Sequence, residues 1–173
     1  MKKLIIVFGL IAGAITSTWV LIYTSIGNPM DSEYGMYYGY ASMILAFSLI
    51  FVAVKSFRDK HNGGTISFGK AFRIGLYITL IASTVYVVSW LINYFFFDPG
   101  FMDGYADKMI AKMKADNAPQ AEIDAYAVKM KEFMVMYKNP FFNALMTYME
   151  ILPVGLIVSL ISATILKKKT AVA

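Results

Sequence analysis

The sequence predicts an all-α, polytopic membrane protein, a single membrane domain over residues 1–173 with four transmembrane helices and a helical extracytoplasmic segment between the third and fourth. Three observations predict it. Of the 173 residues, 58% are hydrophobic and 16% charged, against about a quarter charged in an ordinary soluble domain. Four stretches carry almost no charge, and each is long enough to cross about 30 Å of hydrocarbon at about 1.5 Å per helical residue. Lys and Arg, finally, are distributed unequally between the segments that join these stretches.

The first span covers about 4–26 and is closed by Gly27-Asn28-Pro29, which cannot continue a helix cheaply. Met1-Lys2-Lys3 followed by an apolar run also resembles a secretory signal, with Ala12-Gly13-Ala14 as a small-residue site. The run continues through Trp19, Val20, Leu21 and Ile22, so an uncleaved first helix is expected. The second span covers about 34–54, the third 74–97, and the fourth 141–166, with Glu150 its only charge.

Basic segments resist translocation, so they mark the cytoplasmic side. Lys2 and Lys3 precede the first span, Lys55, Arg58, Lys60, Lys70 and Arg73 lie between the second and third, and Lys167, Lys168 and Lys169 follow the fourth, ten of the sixteen basic residues. The first loop carries Asp31 and Glu33 without Lys or Arg, and the segment 98–140 has six Lys against seven acids. Both termini are therefore expected in the cytoplasm, with the chain a multi-pass protein of a bacterial inner (plasma) membrane. Trp19, Tyr23, Tyr34, Tyr37, Tyr38, Tyr40, Trp90, Tyr94 and Tyr148 all fall towards the outer ends, as an interfacial aromatic belt would.

In the cytoplasmic loop, Gly64-Thr65-Ile66-Ser67-Phe68-Gly69-Lys70 follows the spacing of a phosphate-binding loop until Ala71, where a magnesium-holding Ser or Thr belongs. No strand precedes it, so no nucleotide is expected. Instead Gly63 and Gly64 turn the chain, Ser67 caps a helix, and Phe68, Ala71, Phe72 and Gly75 form an apolar face entering the third span. Lys70 and Arg73 are the candidate lipid headgroup contacts, although topogenic charge accounts for the same residues. His61 has no ligand-spaced partner and reads as solvated.

The outer segment reads as two helices. Met109, Ile110 and Met113 share a face, and after a break at Asn117-Ala118-Pro119 a second stripe comprises Ile123, Tyr126, Ala127, Met130, Phe133, Met134 and Tyr137. That face is buried on its own bundle, on the membrane surface or on a partner.

Small residues recur every fourth position: Gly9, Gly13 and Ser17, then Gly75, Thr79 and Ser83, then Gly155, Ser159 and Ala163. Such stripes allow close helix packing within the chain, and one left facing lipid would make a dimer seam. Glu150 and Pro153 are the candidate intramembrane functional residues. Counted from Leu166, Glu150 lies about 24 Å into an approximately 30 Å core, in its outer third. Pro153 frees the carbonyl of Met149, and Tyr86, Asn93, Asn143 and Thr147 are polar residues at similar depth. A structural or interfacial role and a proton-linked or ligand-binding role both remain open for the acid.

With no Cys and one His, the chain carries no disulfide framework and no multi-histidine metal or haem site. No catalytic, cofactor-binding or metal-binding residues are identified; Asp103 and Asp107 share a helical spacing but sit among lysines and read as a solvated face.

Nearly the whole chain resembles a family of small four-helix bacterial membrane proteins typical of Bacteroidetes, the domain-of-unknown-function family numbered 4199. The resemblance is carried by the basic N-terminus and first span, by Gly64-Thr65-Ile66-Ser67-Phe68-Gly69-Lys70-Ala71-Phe72-Arg73-Ile74-Gly75, by the long charged outer segment, and by Pro153-Val154-Gly155-Leu156-Ile157 through Ala163 before a Lys-rich tail. It implies a four-helix inner-membrane protein and brings no catalytic residue or cofactor.

The expected function is a non-enzymatic membrane module that binds a partner protein or lipid. The alternative is a small oligomeric transporter or proton-linked carrier using Glu150. Expected partners are membrane lipids and a protein partner or a second copy, with neither nucleic acid nor nucleotide.

Overall fold

The computed structural model describes residues 1–26 and 35–168, except for the side chains of Trp19, Leu21 and residues 23–26, 35 and 36. The turn at Gly27-Asn28-Pro29, the acids Asp31 and Glu33, Tyr34 and Lys169 lie outside the described residues, as do the interfacial side chains of Trp19 and Tyr23. The described chain is all-α. In order it forms α1 (Lys2–Ile26), α2 (Gly35–His61), α3 (Phe68–Ile92) running into a π-helical turn (Asn93–Phe97), α4 (Phe101–Ala115), α5 (Gln120–Tyr137) and α6 (Pro140–Leu166). Three stretches are long and apolar enough to cross a membrane: Tyr37–His61 of α2, α3 with its π turn, and α6.

Two helix boundaries differ from the expected spans. Rather than stopping at residue 54, α2 runs on to His61, because Arg58, Lys60 and His61 in its last turn suit the negative end of the helix dipole. Likewise α3 starts at Phe68 instead of 74, since the backbone amide of Lys70 donates to the Ser67 hydroxyl oxygen in the expected cap. Of the apolar lead-in, Ala71 and Gly75 are buried, while Phe68 remains exposed and stacks on Phe72.

The chain divides into two compact units, Met1–Trp90 with Thr147–Ala173, and Leu91–Met146. In the first, α1 packs on α2, and the centre is filled by Phe47, Ile50, Ile74, Ile78 and Ile151. The small-residue stripes meet helices of their own chain. A Cβ on Gly75 would lie 2.7 Å from Ser159 Oγ, and one on Gly155 would collide with the Thr79 side chain. These two pairs run in opposite directions, so α3 and α6 are antiparallel. A Cβ on Gly9 would lie 2.8 Å from Ile81 Cβ and one on Gly13 2.7 Å from Val85 Cβ, which makes α1 and α3 parallel. The glycines thus serve packing within the chain rather than a dimer seam.

Most hydroxyls bond along the same seams, while those of Ser17 and Ser83 are buried without a partner among the described residues. Ser159 Oγ donates to the Gly155 carbonyl at 2.7 Å, so its contact with Thr79 Oγ1 at 3.2 Å uses the Thr79 proton. Thr84 Oγ1 donates to the Leu80 carbonyl, which makes Tyr148 the donor in their 2.9 Å bond. Thr16 turns back to the carbonyls of Ala12 and Gly13. The polar residues Thr16, Ser17, Thr79, Ser83, Ser159 and Ser162 are buried, while Ile44, Leu45, Val52, Leu80, Val88, Ile157, Leu160, Ile161 and Ile165 are exposed.

The second unit contains the helical hairpin of α4 and α5, broken where expected. Asn117 takes a positive φ of 57°, and the Asn117 and Ala118 amides donate back to the carbonyls of Lys114 and Met113, a Schellman closure. The predicted stripe residues are buried or half-buried, and Met102 and Ala106 extend the face on α4. Tyr94, expected in an interfacial belt, is instead buried, edge-on to Tyr137 at 5.2 Å between ring centroids. Tyr37, Tyr38 and Tyr40 are exposed as a belt requires. Asn139 caps α6 through its Oδ1, 2.9 Å from the Phe141 amide, with Pro140 in the first helical position.

Two glycines test this packing. Gly155→Ala forces a methyl group into Thr79 and Phe47 and is expected to destabilise by about 1–3 kcal/mol. Gly104→Ala, in α4 with open space around it, is expected to stabilise by about 0.5–1 kcal/mol. Unfolding in mixed micelles measures both; a neutral Gly155→Ala would show that the helices are not held at contact distance. Ser159→Ala leaves the Thr79 proton unpaired and is expected to lose about 0.5–1.5 kcal/mol in the same assay.

Candidate functional site

Both candidate pairs lie in the first unit, and the register of the glycine seams positions them. Because α1 runs parallel to α3 and α6 antiparallel to it, Lys2 and Lys3, the α2–α3 loop and the end of α6 stand at the same end. Nine of the ten basic residues read as cytoplasmic therefore cluster there, the tenth being Lys169. The one acid among them, Asp59, is paired with Arg58 at 2.6 Å.

The loop at this end is built as a clasp. Gly63 and Gly64 take φ values of 62° and 75°, a left-handed backbone that glycine adopts without strain. The chain then pairs with the tail: Ile66 N–H donates to the Lys168 carbonyl at 3.0 Å and Lys168 N–H returns to Ile66 at 2.9 Å. Arg58 Nη1 reaches the Leu166 carbonyl at 3.4 Å, capping the C-terminal end of α6. Asn62 Nδ2 donates to the Thr65 carbonyl. His61 is exposed and lies parallel to the Phe57 ring at 6.0 Å between centroids.

Within this clasp the two headgroup candidates separate. Lys70 Nζ donates to Asn62 Oδ1 at 2.7 Å and sits 5.1 Å from the centre of the Phe57 ring, so its charge is folded back onto the loop. Arg73 is exposed. On a helical wheel it lies about 200° from Gly75, which faces α6, and therefore points outward. Among the described residues Arg73 is the cation of the pair without a bonded partner, and Lys70 is a strut. Arg58 and Asn62, read from sequence only as charge and loop, are the residues that join α2 to α6 and to the loop. Their partners are remote or conformational, and no spacing in the sequence marks them.

Glu150 is placed by the same register. It stands about 140° around α6 from Gly155 and about 180° from Ser159, so the seam that binds α6 to α3 turns the acid away. It is exposed, on a stripe with Met149, Pro153, Ile157 and Ile161. None of its expected polar neighbours is joined to it. Tyr86 and Thr147 are buried. Asn93 and Asn143 belong to the second unit, where Asn143 Nδ2 donates to the Tyr137 carbonyl at 3.4 Å and Asn93 Nδ2 is buried without a partner. The Gly75–Ser159 pairing sets Arg73 level with about residue 161, which puts Glu150 about 16 Å along the helix axis from that cation. The orientation was recoverable from sequence, since the small-residue stripe already marks the face of α6 that packs.

A family model described as a protein of unknown function, DUF4199, matches residues 7–168. The chain belongs to that family. No curated protein and no solved structure matches it. The match extends from α1 through α6 to the bridge at Lys168, so clasp, glycine seams and α6 stripe all lie within the family domain.

The two cations are separable by experiment. Lys70→Met removes one hydrogen bond and one cation–π contact and is expected to weaken the clasp by about 1–2 kcal/mol, read as faster proteolytic nicking at 62–67. Arg73→Gln should leave nicking unchanged and reduce retention of phosphatidylglycerol about fivefold, the worth of about 1 kcal/mol per surface cation. If instead Lys70→Met alone releases the lipid, the assignment is reversed.

Proposed function

We propose that the chain is a four-span protein of a bacterial inner membrane, with both termini cytoplasmic, that acts as a non-enzymatic module binding a partner within the bilayer and anionic lipid at its basic end. The inverted polarity of the first unit supports the membrane reading: hydroxyls inside, aliphatic side chains outside, an arrangement that hydrocarbon tolerates and water does not. The first span is α1, a 25-residue helix. The basic end supports the orientation, since Lys and Arg are retained on the cytoplasmic side, and the segment between α3 and α6 is then extracytoplasmic.

The observation that carries the binding function is the outward stripe of α6, an apolar surface interrupted by one carboxyl group. A residue that is expensive in hydrocarbon and has no partner among the described residues supports a contact with something else. The same outward direction weakens the carrier reading, because a path through Glu150 would have to lie between copies of the chain rather than inside one.

Orientation is tested by cysteine accessibility in this Cys-free chain. His61→Cys should resist an impermeant maleimide in spheroplasts and react in inverted vesicles, whereas Lys114→Cys should behave oppositely; labelling of His61→Cys from outside refutes the topology. Native mass spectrometry after gentle extraction tests the binding function. A defined protein or anionic lipid retained in fixed stoichiometry supports it, and a bare dimer that conducts protons in a Glu150-dependent manner overturns it.

A further inference from the structure

We propose that the outward stripe of α6 is the docking site for a transmembrane helix of another protein that carries a Lys or Arg level with Glu150, received by the Glu150 carboxylate and the Met149 carbonyl. This deepens the reading that α6 spans the membrane and binds a partner. Three observations select that chemistry. Glu150 and Pro153 are both exposed and stand about 60° apart on the helical wheel, with Met149 about 40° from Pro153, so all three share one face. Pro153 has no N–H, and the Met149 carbonyl loses its usual helical donor. The face therefore presents acceptors, a carboxylate and a bared carbonyl, in an otherwise apolar surface formed with Ile157 and Ile161.

Charge complementarity decides between occupants. The first unit's own cations sit at its far end, with Arg73 about 16 Å along the axis from Glu150. A second copy docked side by side in the same orientation would bring a second carboxylate to the first. Lipid tails supply no donor at that depth. A lysine ammonium has three donors and a guanidinium five, none of them an acceptor, which is the complement of this face. The aliphatic residues towards the basic end of the stripe, Ile157 and Ile161, extend the contact along the partner helix.

The test uses the full-length chain in lipid vesicles, labelled with a fluorophore at His61→Cys, and synthetic transmembrane Leu/Ala peptides that carry the matching acceptor dye and bear Lys, Leu or Glu at the depth of Glu150. Energy transfer should report association of the Lys peptide about tenfold tighter than that of the Leu peptide, with the Glu peptide no tighter than Leu. Glu150→Gln should abolish the preference while unfolding in mixed micelles is unchanged, and Glu150→Lys should reverse it in favour of the Glu peptide. Equal binding of all three peptides, a preference that survives Glu150→Gln, or Glu150-dependent transfer between two labelled copies that the Lys peptide does not compete with would each overturn the proposal. Loss of peptide preference alongside a lipid or other protein retained in native mass spectrometry overturns this site alone. Failure of the accessibility pattern overturns the membrane reading beneath both.

Discussion

The separation between α3 and α6 is the constraint on which the rest of the first unit depends. Two glycines set it, Gly75 beneath Ser159 and Gly155 beneath Thr79 and Phe47, with Thr79 donating to Ser159 across the seam. In hydrocarbon, burying aliphatic groups gives helices no reason to associate, so backbones must approach until dispersion and hydroxyl bonds suffice. Once that approach is fixed, so is the rotation of each helix. Arg73 and Glu150 turn outward because Gly75, Gly155 and Ser159 turn inward. The same logic holds α1 on α3, where Gly9 and Gly13 receive the branched side chains of Ile81 and Val85.

The basic end shows how one set of charges serves two requirements. Topogenic Lys and Arg need only be numerous, and most of those here are exposed. Arg58 and Lys70 have been drawn further into the structure, one capping α6 at Leu166 and the other closing the loop through Asn62. A cation at a helix C-terminus satisfies carbonyls that have no intrahelical partner. A cation over Phe57 neutralises nothing but fixes where the loop folds. The bridge between Ile66 and Lys168 then ties the loop to the tail, which leaves Arg73 exposed at the rim.

Much of this was legible in the chain because it rests on periodicity. Three of the four spans, the break before Pro119, the Ser67 cap, the Gly63-Gly64 turn and the small-residue stripes all depend on residue type at fixed spacing, and each recurs among the described residues. The helices α2 and α3 extend past the charge-free stretches to His61 and from Phe68, because Lys and Arg are good helix formers and prolong a helix beyond its apolar part. Tyr94 was misjudged because interfacial preference competes with burial, and the ring of Tyr137 supplies a partner. The polar neighbours expected for Glu150 within its own unit, Tyr86 and Thr147, are buried while the acid is exposed: equal depth is not equal burial. Depth follows from counting residues, but burial requires knowing which face packs.

That distinction also limits what the acid is doing. A glutamate turned into a bundle is explained by its own chain, through hydroxyls and amides that pay its desolvation. Glu150 is turned out, and the hydroxyls of Thr79, Ser159, Thr84 and Tyr148 are already committed to Gly155, Leu80 and one another. Snorkelling towards the outer interface relieves a carboxylate only over the reach of a short side chain. Pro153 adds to the mismatch by baring a carbonyl on the same face instead of supplying a donor. Acid and proline together make the outer surface of α6 rich in acceptors and poor in donors, which is the chemistry that the proposed partner helix would complement.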